Sequence, residues 1–563
     1  MRRIVRTALC CLLVLCVAVC SFPVFASAEA VPFSITVAAD THYQCADNLG
    51  EPSDQYTENL LDRDLFGYAS TQGQMPYESE AIISAMLDAF AVSDSPCLLI
   101  AGDLTCGKRE SHLRLAEMLR RTEQRSGKQI FVIIGNHDCD ADDSSGGITM
   151  EEFREIYADF GYNEACSRHA DSASYAADLG DQYRLIAIDT CIYGEDEGEI
   201  NTSVFRFIRE QTAAAKRDGK TPIAMMHHSL LPHYELQPMI RLWRYYARWF
   251  ADNGLQTVLT GHIHANDISS AVSDRGNIVY DIQTGALIAS PNTYRVLTFA
   301  DDGVRVDSRF VTKIDTSLLP AYLTQQQKAR IAADFPAYAR SYFESGVCKW
   351  INRNLGSVNR IARWFKLKEG TRAYAAAEQL MHRVGDAIGQ DIYGETNSIE
   401  SALAPYGMSV PPSGFSKPYQ AAATVMYGFF HGDEETISSE ADTKLLLACI
   451  EGAVLTAMQS GIDSAALRDL MNAVSKKTLL LPASARMRQT AETIALALLQ
   501  TLAGGFTDDQ SAPSDLNVTL TFQRAGRTAP LHLAVQLWEL FRELWARVFP
   551  GQKSFFRFAD IKI

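Results

Sequence analysis

The sequence predicts an α/β domain followed by a mostly helical half. Three observations carry that prediction. Between Val31 and about Thr312, short apolar runs rich in β-branched residues alternate with segments of helical spacing. The first six of those runs end in Asp, His or Asn. After about Asp315 the alternation stops and long amphipathic segments take over. Strands alternating with helices imply at least one largely parallel core sheet.

The strand candidates come in a fixed order: "FSITVAAD", "CLLIAGD", "IFVIIGNHD", "YRLIAIDT", "PIAMMHHS", "QTVLTGHIH", "IVYDIQTGA", "YRVLTFADD" and "VRVDSRFV". Runs this apolar, bounded by Gly or turn residues, read as strands buried on both faces. Between them, "SHLRLAEMLRRTEQ" has helical spacing and strong helix formers. The helical half opens at "LTQQQKARIAADFPAYARSYFES", where Thr324 and Gln327 stand at capping-box spacing. It continues through "TRAYAAAEQLMHRVGDAI", "TKLLLACIEGAVLTAMQ", "RMRQTAETIALALLQTLAG" and "HLAVQLWELFRELWARVF". Only "LNVTLTFQ", near Val518, alternates there like a strand. No internal repeat or low-complexity tract interrupts the chain.

Length and composition agree with this division. At 563 residues the chain exceeds one ordinary domain. With 47 % hydrophobic and 21 % charged residues it has the make-up of a folded globular protein. Its net charge of −15 argues against nucleic acid as a partner and against simple electrostatic docking on anionic lipid. The opening residues differ from all that follow. Arg2, Arg3 and Arg6 precede an apolar stretch from Ala8 to Val19, and Ala26-Ser27-Ala28 supplies an A-x-A cleavage pattern. Residues 1–28 are read as a signal peptide, which gives a secreted or cell-envelope protein. Val19 before Cys20 is larger than the small residue of lipoprotein signals. The remaining cysteines are scattered without C-x-x-C spacing and read as buried thiols rather than a zinc motif. No later stretch is long and charge-free enough to span a bilayer, since the best, "KLLLACIEGAVLTAM", contains Glu451.

The strand ends carry the chemistry. Ligands of open α/β sheets sit at the carboxyl ends of the strands. There stand Asp40 and His42, Asp103, Asn136 and His137, His227, and His262 with His264. Buried carboxylates that converge without a cation repel each other. A divalent metal removes the difficulty, and this mixed oxygen and nitrogen set suits Mn, Fe, Zn, Co or Ni better than Ca or Mg. Gly102, Gly135 and Gly261 each precede a candidate ligand, where backbone approaches closely.

At these residues the chain resembles the calcineurin-like metallophosphoesterases. Their blocks D-x-H, G-D, G-N-H-[DE], a strand-end His and G-H-x-H stand here in order. They are Asp40-Thr41-His42, Gly102-Asp103, Gly135-Asn136-His137-Asp138, His227 and Gly261-His262-Ile263-His264. The resemblance covers roughly residues 34–312. It implies an α/β/β/α sandwich over residues 29–315 and says nothing of residues 316–563, which their own pattern marks as a mostly helical domain of unknown role. It also implies that Asp40, His42 and His264 bind one metal, that Asn136, His227 and His262 bind a second, and that Asp103 bridges them. His137 corresponds to the family's catalytic histidine. The activity implied is hydrolysis of a phosphodiester or phosphomonoester, by in-line attack of a hydroxide held between two ions about 3.5–4 Å apart. The wording "AADTHY", "GDLT" and "SHLRLAEML" is most similar to bacterial phosphodiesterase-type members. The protein phosphatases are less similar, because their G-D-x-x-D-R-G block is absent after Asp103.

Neighbouring residues receive plainer readings. His228 is passed over for His227, which directly follows the apolar run. Asp138 is expected to orient its loop, and Asp189 to act structurally or behind the ligands. His112 resembles a position common in bacterial relatives, so a substrate-side role stands beside a structural one. His233 is expected at the surface, and Cys45, Cys106 and Cys139 as packing thiols. The stretch Tyr43–Glu80 is expected to form part of the rim over the metals. Two other functions fit the same residues: an envelope binding or scaffold protein with a structural dimetal site, and a lipid-directed enzyme similar to sphingomyelinase-type relatives. In the latter, the aromatics of "LWRYYARWF" and "LWELFRELWARVF" would contact a membrane surface.

Overall fold

Each of the nine apolar runs forms a strand in the computed structural model, which describes residues 32–49, 73–139, 146–192, 194–233, 237, 239–321, 323–355, 358–432, 440–459, 461–474, 483–506 and 515–522. They divide between two sheets. The first has the order β13-β12-β11-β1-β2-β3, with β1 (Ser34–Ala38), β2 (Cys97–Ala101), β3 (Gln129–Ile133), β11 (Thr293–Ala300), β12 (Gly303–Phe310) and β13 (Asn517–Thr521). The second runs β4-β5-β6-β7-β8-β10-β9, with β4 (Ala165–Arg168), β5 (Tyr175–Leu179), β6 (Tyr183–Ile188), β7 (Thr221–Met226), β8 (Thr257–Thr260), β9 (Asp267–Val272) and β10 (Ile278–Gln283). Parallel pairing joins β1 to β2 and β2 to β3 in one sheet, and β6, β7, β8 and β10 in the other.

The sheets meet face to face. Tyr175 on β5 donates its hydroxyl to the Val132 carbonyl on β3 at 2.8 Å. The rings of Tyr183 and Phe299 pack 5.0 Å apart. Helix Arg109–Ser126 lies on β3 beside helix Ser79–Val92, and helices Thr202–Arg217 and Trp243–Asp252 cover the second sheet. The two stacked sheets with helices on their outer faces form the expected α/β/β/α sandwich. On the second sheet's outer face Ile208 and Phe250 are fully buried against Ile186 and Val258. Each such side chain contributes roughly 1.5–3 kcal/mol by leaving water. Tyr246 and Phe250 of "LWRYYARWF" face this core, so that segment's helical spacing is chiefly packing.

The helical half is helical as expected, with Leu380, Val454, Leu470 and Ile494 in its core. Thr324 Oγ1 accepts from Gln327 N, and Gln327 Oε1 accepts from Thr324 N, so the capping box is present. The segment after it breaks into Gln325–Ala333 and Phe335–Leu355 at Asp334, whose backbone leaves the helical region. Pro336 removes an amide donor and suits the first turn of a new helix better than the interior of an old one. "LNVTLTFQ" forms β13, which pairs antiparallel with β12. Among the described residues, no helix is long and apolar enough to cross a membrane. The signal peptide, most of the Tyr43–Glu80 rim and the "LWELFRELWARVF" segment lie outside the described residues. Tyr43 itself is fully buried and donates its hydroxyl to Glu80 Oε2 at 3.0 Å, so it is no part of a rim.

Candidate metal centre

Five parallel strands deliver polar residues to one place. Asp40 follows β1, Asp103 follows β2 and Asn136 follows β3, while His227 follows β7 and His262 follows β8. The sheets present these ends to each other. His262 N donates to both oxygens of Asp40, at 3.1 and 3.0 Å, which ties the two strand ends together.

The side chains form two groups that share Asp103. In the first, His42 Nε2 lies 3.0 Å from His264 Nε2 and 3.5 Å from Asp103 Oδ2, and His264 Nε2 lies 3.4 Å from Asp40 Oδ1. In the second, His227 Nε2 lies 3.2 Å from Asp103 Oδ2 and 3.0 Å from Asn136 Oδ1, which is 3.1 Å from His262 Nδ1. A tetrahedral cation with ligand bonds near 2.1 Å sets its donor atoms about 3.4 Å apart. The observed separations cluster around that value.

Tautomers sharpen the point. His227 Nδ1 is 2.9 Å from the Ala101 carbonyl, which only accepts, so Nδ1 carries a hydrogen and Nε2 is the nitrogen that faces Asp103. Asp103 Oδ2 is buried without a hydrogen-bond partner of its own. Ring nitrogens facing a carboxylate and each other at about 3 Å need a cation between them, a proton or a metal ion. The cluster therefore suits a dinuclear metal site.

The backbone is strained at the same residues. Asp40, His42, Asp103, His262 and His264 have φ of 50°, 35°, 49°, 76° and 65°, in the left-handed region. Such conformations cost about 1–3 kcal/mol each and persist only where the surroundings impose them. Gly135 shows how tight the fit is. A Cβ there would lie 2.2 Å from Asp103 Oδ1.

Electrostatics keep two of these histidines neutral, with a lone pair free for a cation, and favour the protonated form of a third. Burial, with the neighbouring imidazoles, holds His42 well below its ordinary range and His262 down to about 3, so both stay neutral. Burial would also depress His227, but the Asp103 carboxylate outweighs it and lifts this histidine to about 9. Burial alone would raise Asp103; His227, His42 and His137 overcome it and hold the carboxyl well below the usual range.

His137 stands apart from the buried cluster. It is exposed, its ring 5.4 Å from that of His42, and its backbone N–H donates to Asp103 Oδ1 at 2.9 Å. Asp138 orients the turn, accepting from Thr105 N and Gly135 N at 2.9 and 2.8 Å. His228 points elsewhere than its neighbour, with Nδ1 2.9 Å from Thr190 Oγ1. Asp189 serves its own loop, accepting from Ala173 N and Cys191 N at 3.0 Å. Cys45, Cys97, Cys106, Cys166, Cys191 and Cys449 are thiols.

Two expectations are corrected. The substrate-side role for His112 fails, because the ring is fully buried and both nitrogens are engaged. Nδ1 lies 2.9 Å from the Tyr157 hydroxyl, and Nε2 lies 2.7 Å from Thr105 Oγ1 and 2.9 Å from the Asp138 carbonyl. His233 is not at the surface. It is 3 % exposed, with Nδ1 2.8 Å from Asp267 Oδ1 and Nε2 3.4 Å from Asp281 Oδ2. Asp281 also accepts from Leu230 N and Leu231 N at 2.6 and 2.8 Å, so it fixes the segment that follows His227. One signal for it was in the sequence: a carboxylate in the middle of the apolar run "IVYDIQ". Asn266, described below, was missed for want of any such signal.

A family match agrees with this geometry. The family model described as calcineurin-like phosphoesterase matches residues 33–266. Among solved structures, a dimetal phosphatase from Danio rerio is similar at 12 % identity, covering 50 % of this chain and 96 % of its own, with a TM-score of 0.35. A purple acid phosphatase from yellow lupin (Lupinus luteus) seeds aligns at 13 % identity over 49 % of this chain and 51 % of its own, with a TM-score of 0.31. A 5'-nucleotidase precursor from Thermus thermophilus does so at 13 % identity over 55 % and 58 %, with a TM-score of 0.30. No curated protein matches the chain.

Proposed function

We propose that this chain, matched by the calcineurin-like phosphoesterase model over residues 33–266, is a metal-dependent phosphoester hydrolase whose ligands and substrate are as follows. Asp40, His42 and His264 hold one divalent ion, Asn136, His227 and His262 hold the other, and Asp103 is shared. One observation carries the assignment: Asp103 Oδ2, buried and lacking a hydrogen bond, lies 3.5 Å from His42 Nε2 and 3.2 Å from His227 Nε2. Two divalent ions held there would supply Lewis acidity toward the phosphoryl group and acidify water.

The protein's own groups do the rest. The Ala101 carbonyl fixes His227 in the tautomer that presents Nε2. The His137 N–H anchors its turn to Asp103, and the exposed imidazole hydrogen-bonds or protonates the leaving oxygen, worth typically about 10²–10⁴-fold. The substrate is a phosphodiester or phosphomonoester, with the diester favoured by the resemblance of "AADTHY" and "GDLT" to phosphodiesterase-type members. Residues 1–28, read as a signal peptide, support a location outside the cytoplasm, and N-terminal sequencing of the exported protein is expected to begin at Glu29.

The deciding assay is hydrolysis of bis(p-nitrophenyl) phosphate by the mature protein with Mn²⁺, beside Asp103→Asn. Turnover abolished by chelator and by the substitution supports the reading. Two bound ions with neither this diester nor p-nitrophenyl phosphate cleaved would favour the scaffold role instead. A lipid-directed variant of the same activity draws on a partly exposed face with Trp243, Tyr245 and Trp249, where the Arg244 guanidinium lies 4.4 Å from the Trp243 ring. Co-sedimentation with phosphatidylcholine–sphingomyelin vesicles tests it, and protein left wholly in the supernatant rules it out.

A further inference from the structure

The loop Gly261-His262-Ile263-His264 faces both halves of the chain. Its imidazoles reach the metal centre. Ile263 between them and Ala265 after them belong to the apolar cluster of the helical half, with Phe343, Phe430 and Leu380. The next residue, Asn266, is fully buried, and its amide is saturated. Nδ2 donates to Thr293 Oγ1 at 2.9 Å, to the Phe430 carbonyl at 3.2 Å and to the His431 carbonyl at 3.3 Å. Oδ1 accepts from Gly285 N at 3.0 Å, and Asn266 N donates to the Phe430 carbonyl at 3.2 Å.

Phe430 and His431 end the helix Pro418–His431. The last carbonyls of a helix have no partner within it. Asn266 therefore caps that helix from 164 residues away in sequence. Gly432, at φ +83°, lets the helix end against the loop, because a Cβ there would lie 2.8 Å from the Asn266 carbonyl oxygen. The His431 ring stacks on Phe310 of β12 at 5.2 Å and on Tyr427 at 5.5 Å, which holds the helix end in place.

We propose that the helical half clamps the metal-ligand loop, and that Asn266 is the positioning residue through which it holds His262 and His264 ready for divalent metal. The inference rests on the dimetal reading above. Both histidines sit in the left-handed region and would relax out of it if the loop were released. The strands fix one side of this loop, through Gln283 Nε2 on the Ala265 carbonyl at 3.1 Å, and the helix end fixes the other.

The test uses the full chain, stripped of metal and titrated with Mn²⁺ by calorimetry, with the melting temperature of the metal-free protein read in parallel. Asn266→Ala is expected to weaken Mn²⁺ binding by about 10–100-fold, the usual cost of losing support behind a ligand. Asn266→Asp keeps the acceptor for Gly285 but sets an oxygen against two carbonyls, and is expected to weaken binding at least as much. Thr371→Ala removes a cap within the helical half, the one on Tyr374 N, and is expected to lower the melting temperature while leaving Mn²⁺ affinity within about twofold. Should the Asn266 variants fail to fold, Phe430→Leu keeps the accepting carbonyl but loosens the ring packing on Phe343, 5.2 Å away, that seats this helix end, and is expected to weaken binding too. Foldable Asn266 or Phe430 variants that bind Mn²⁺ as wild type does overturn the clamp alone. A wild-type chain that binds no Mn²⁺ overturns the dimetal reading, and the clamp with it.

Discussion

Replacing His233 by Gln removes the one imidazole that lies between two buried carboxylates, Asp267 and Asp281. Burial alone would lower this histidine, but the two carboxylates raise it from 6.5 to about 10, so it is a cation in the folded protein. A group raised on folding stabilises fully below its unfolded pKa, and that stability is lost as pH climbs through the folded value. The window runs from about 6.5 to about 10. Linkage then gives His233 a contribution of about 5 kcal/mol at pH 6, about 3 kcal/mol at pH 7.5 and about 1 kcal/mol at pH 9. The value near neutrality matches the roughly 3–5 kcal/mol expected when one partner of a buried ion pair is removed. Urea unfolding of wild type and His233→Gln, followed by circular dichroism across pH 6 to 9, measures the gap directly. Taking the difference between two chains cancels every other titrating group that the substitution leaves alone. The gap is expected to close severalfold as pH rises. A gap that stays flat or widens would refute the charged assignment.

Other outcomes follow from the same geometry. Asp103→Asn removes the shared carboxylate, and losing several kcal/mol of charge stabilisation should lower kcat/KM by about 10³-fold or more, read on bis(p-nitrophenyl) phosphate. His137→Ala should lower kcat by about 10²–10⁴-fold while leaving the Mn²⁺ stoichiometry from elemental analysis unchanged, since this residue is proposed as the proton donor and not as a ligand. Gly135→Ala forces a methyl group onto Asp103 Oδ1 and should abolish tight Mn²⁺ binding in calorimetry. His112→Ala strands the Tyr157 hydroxyl and opens a cavity, which should cost about 2–4 kcal/mol in urea unfolding. Its KM should match wild type, and a raised KM would restore a substrate-side role.

The buried Asp and His cluster was legible because its members stand at or just past the ends of runs that water rarely touches. A polar group in that position must find a partner, so the sequence announces it locally. The three strands that were missed explain themselves by the same rule. β4 reads "ACSR" and alternates between half-buried and exposed, and β9 begins at Asp267 with polar "SS" in its middle. Neither contrasts with the loops beside it. β5, "YAADL", is better buried, but two alanines and an Asp give it little β-branched character. His233 and Asn266 were illegible for another reason. Their partners lie far along the chain, at Asp267 and Asp281 for the one and at Phe430 and His431 for the other, and no pattern within a window links them.

The pairing of β13 with β12 bears on how the molecule is made. Synthesis proceeds from the N-terminus, so Gly303–Phe310 emerges about 200 residues ahead of Asn517–Thr521. At about 5–20 residues per second the wait is roughly 10–40 s. Throughout it the ladder edge of β12 is open to any neighbouring chain, with Val304 and Val306 on one face. Contacts this distant in sequence also form slowly, because a long loop must close before they stabilise anything. Nascent chains stalled before residue 517 should therefore stick to one another on crowded ribosomes, whereas chains released after β13 should not.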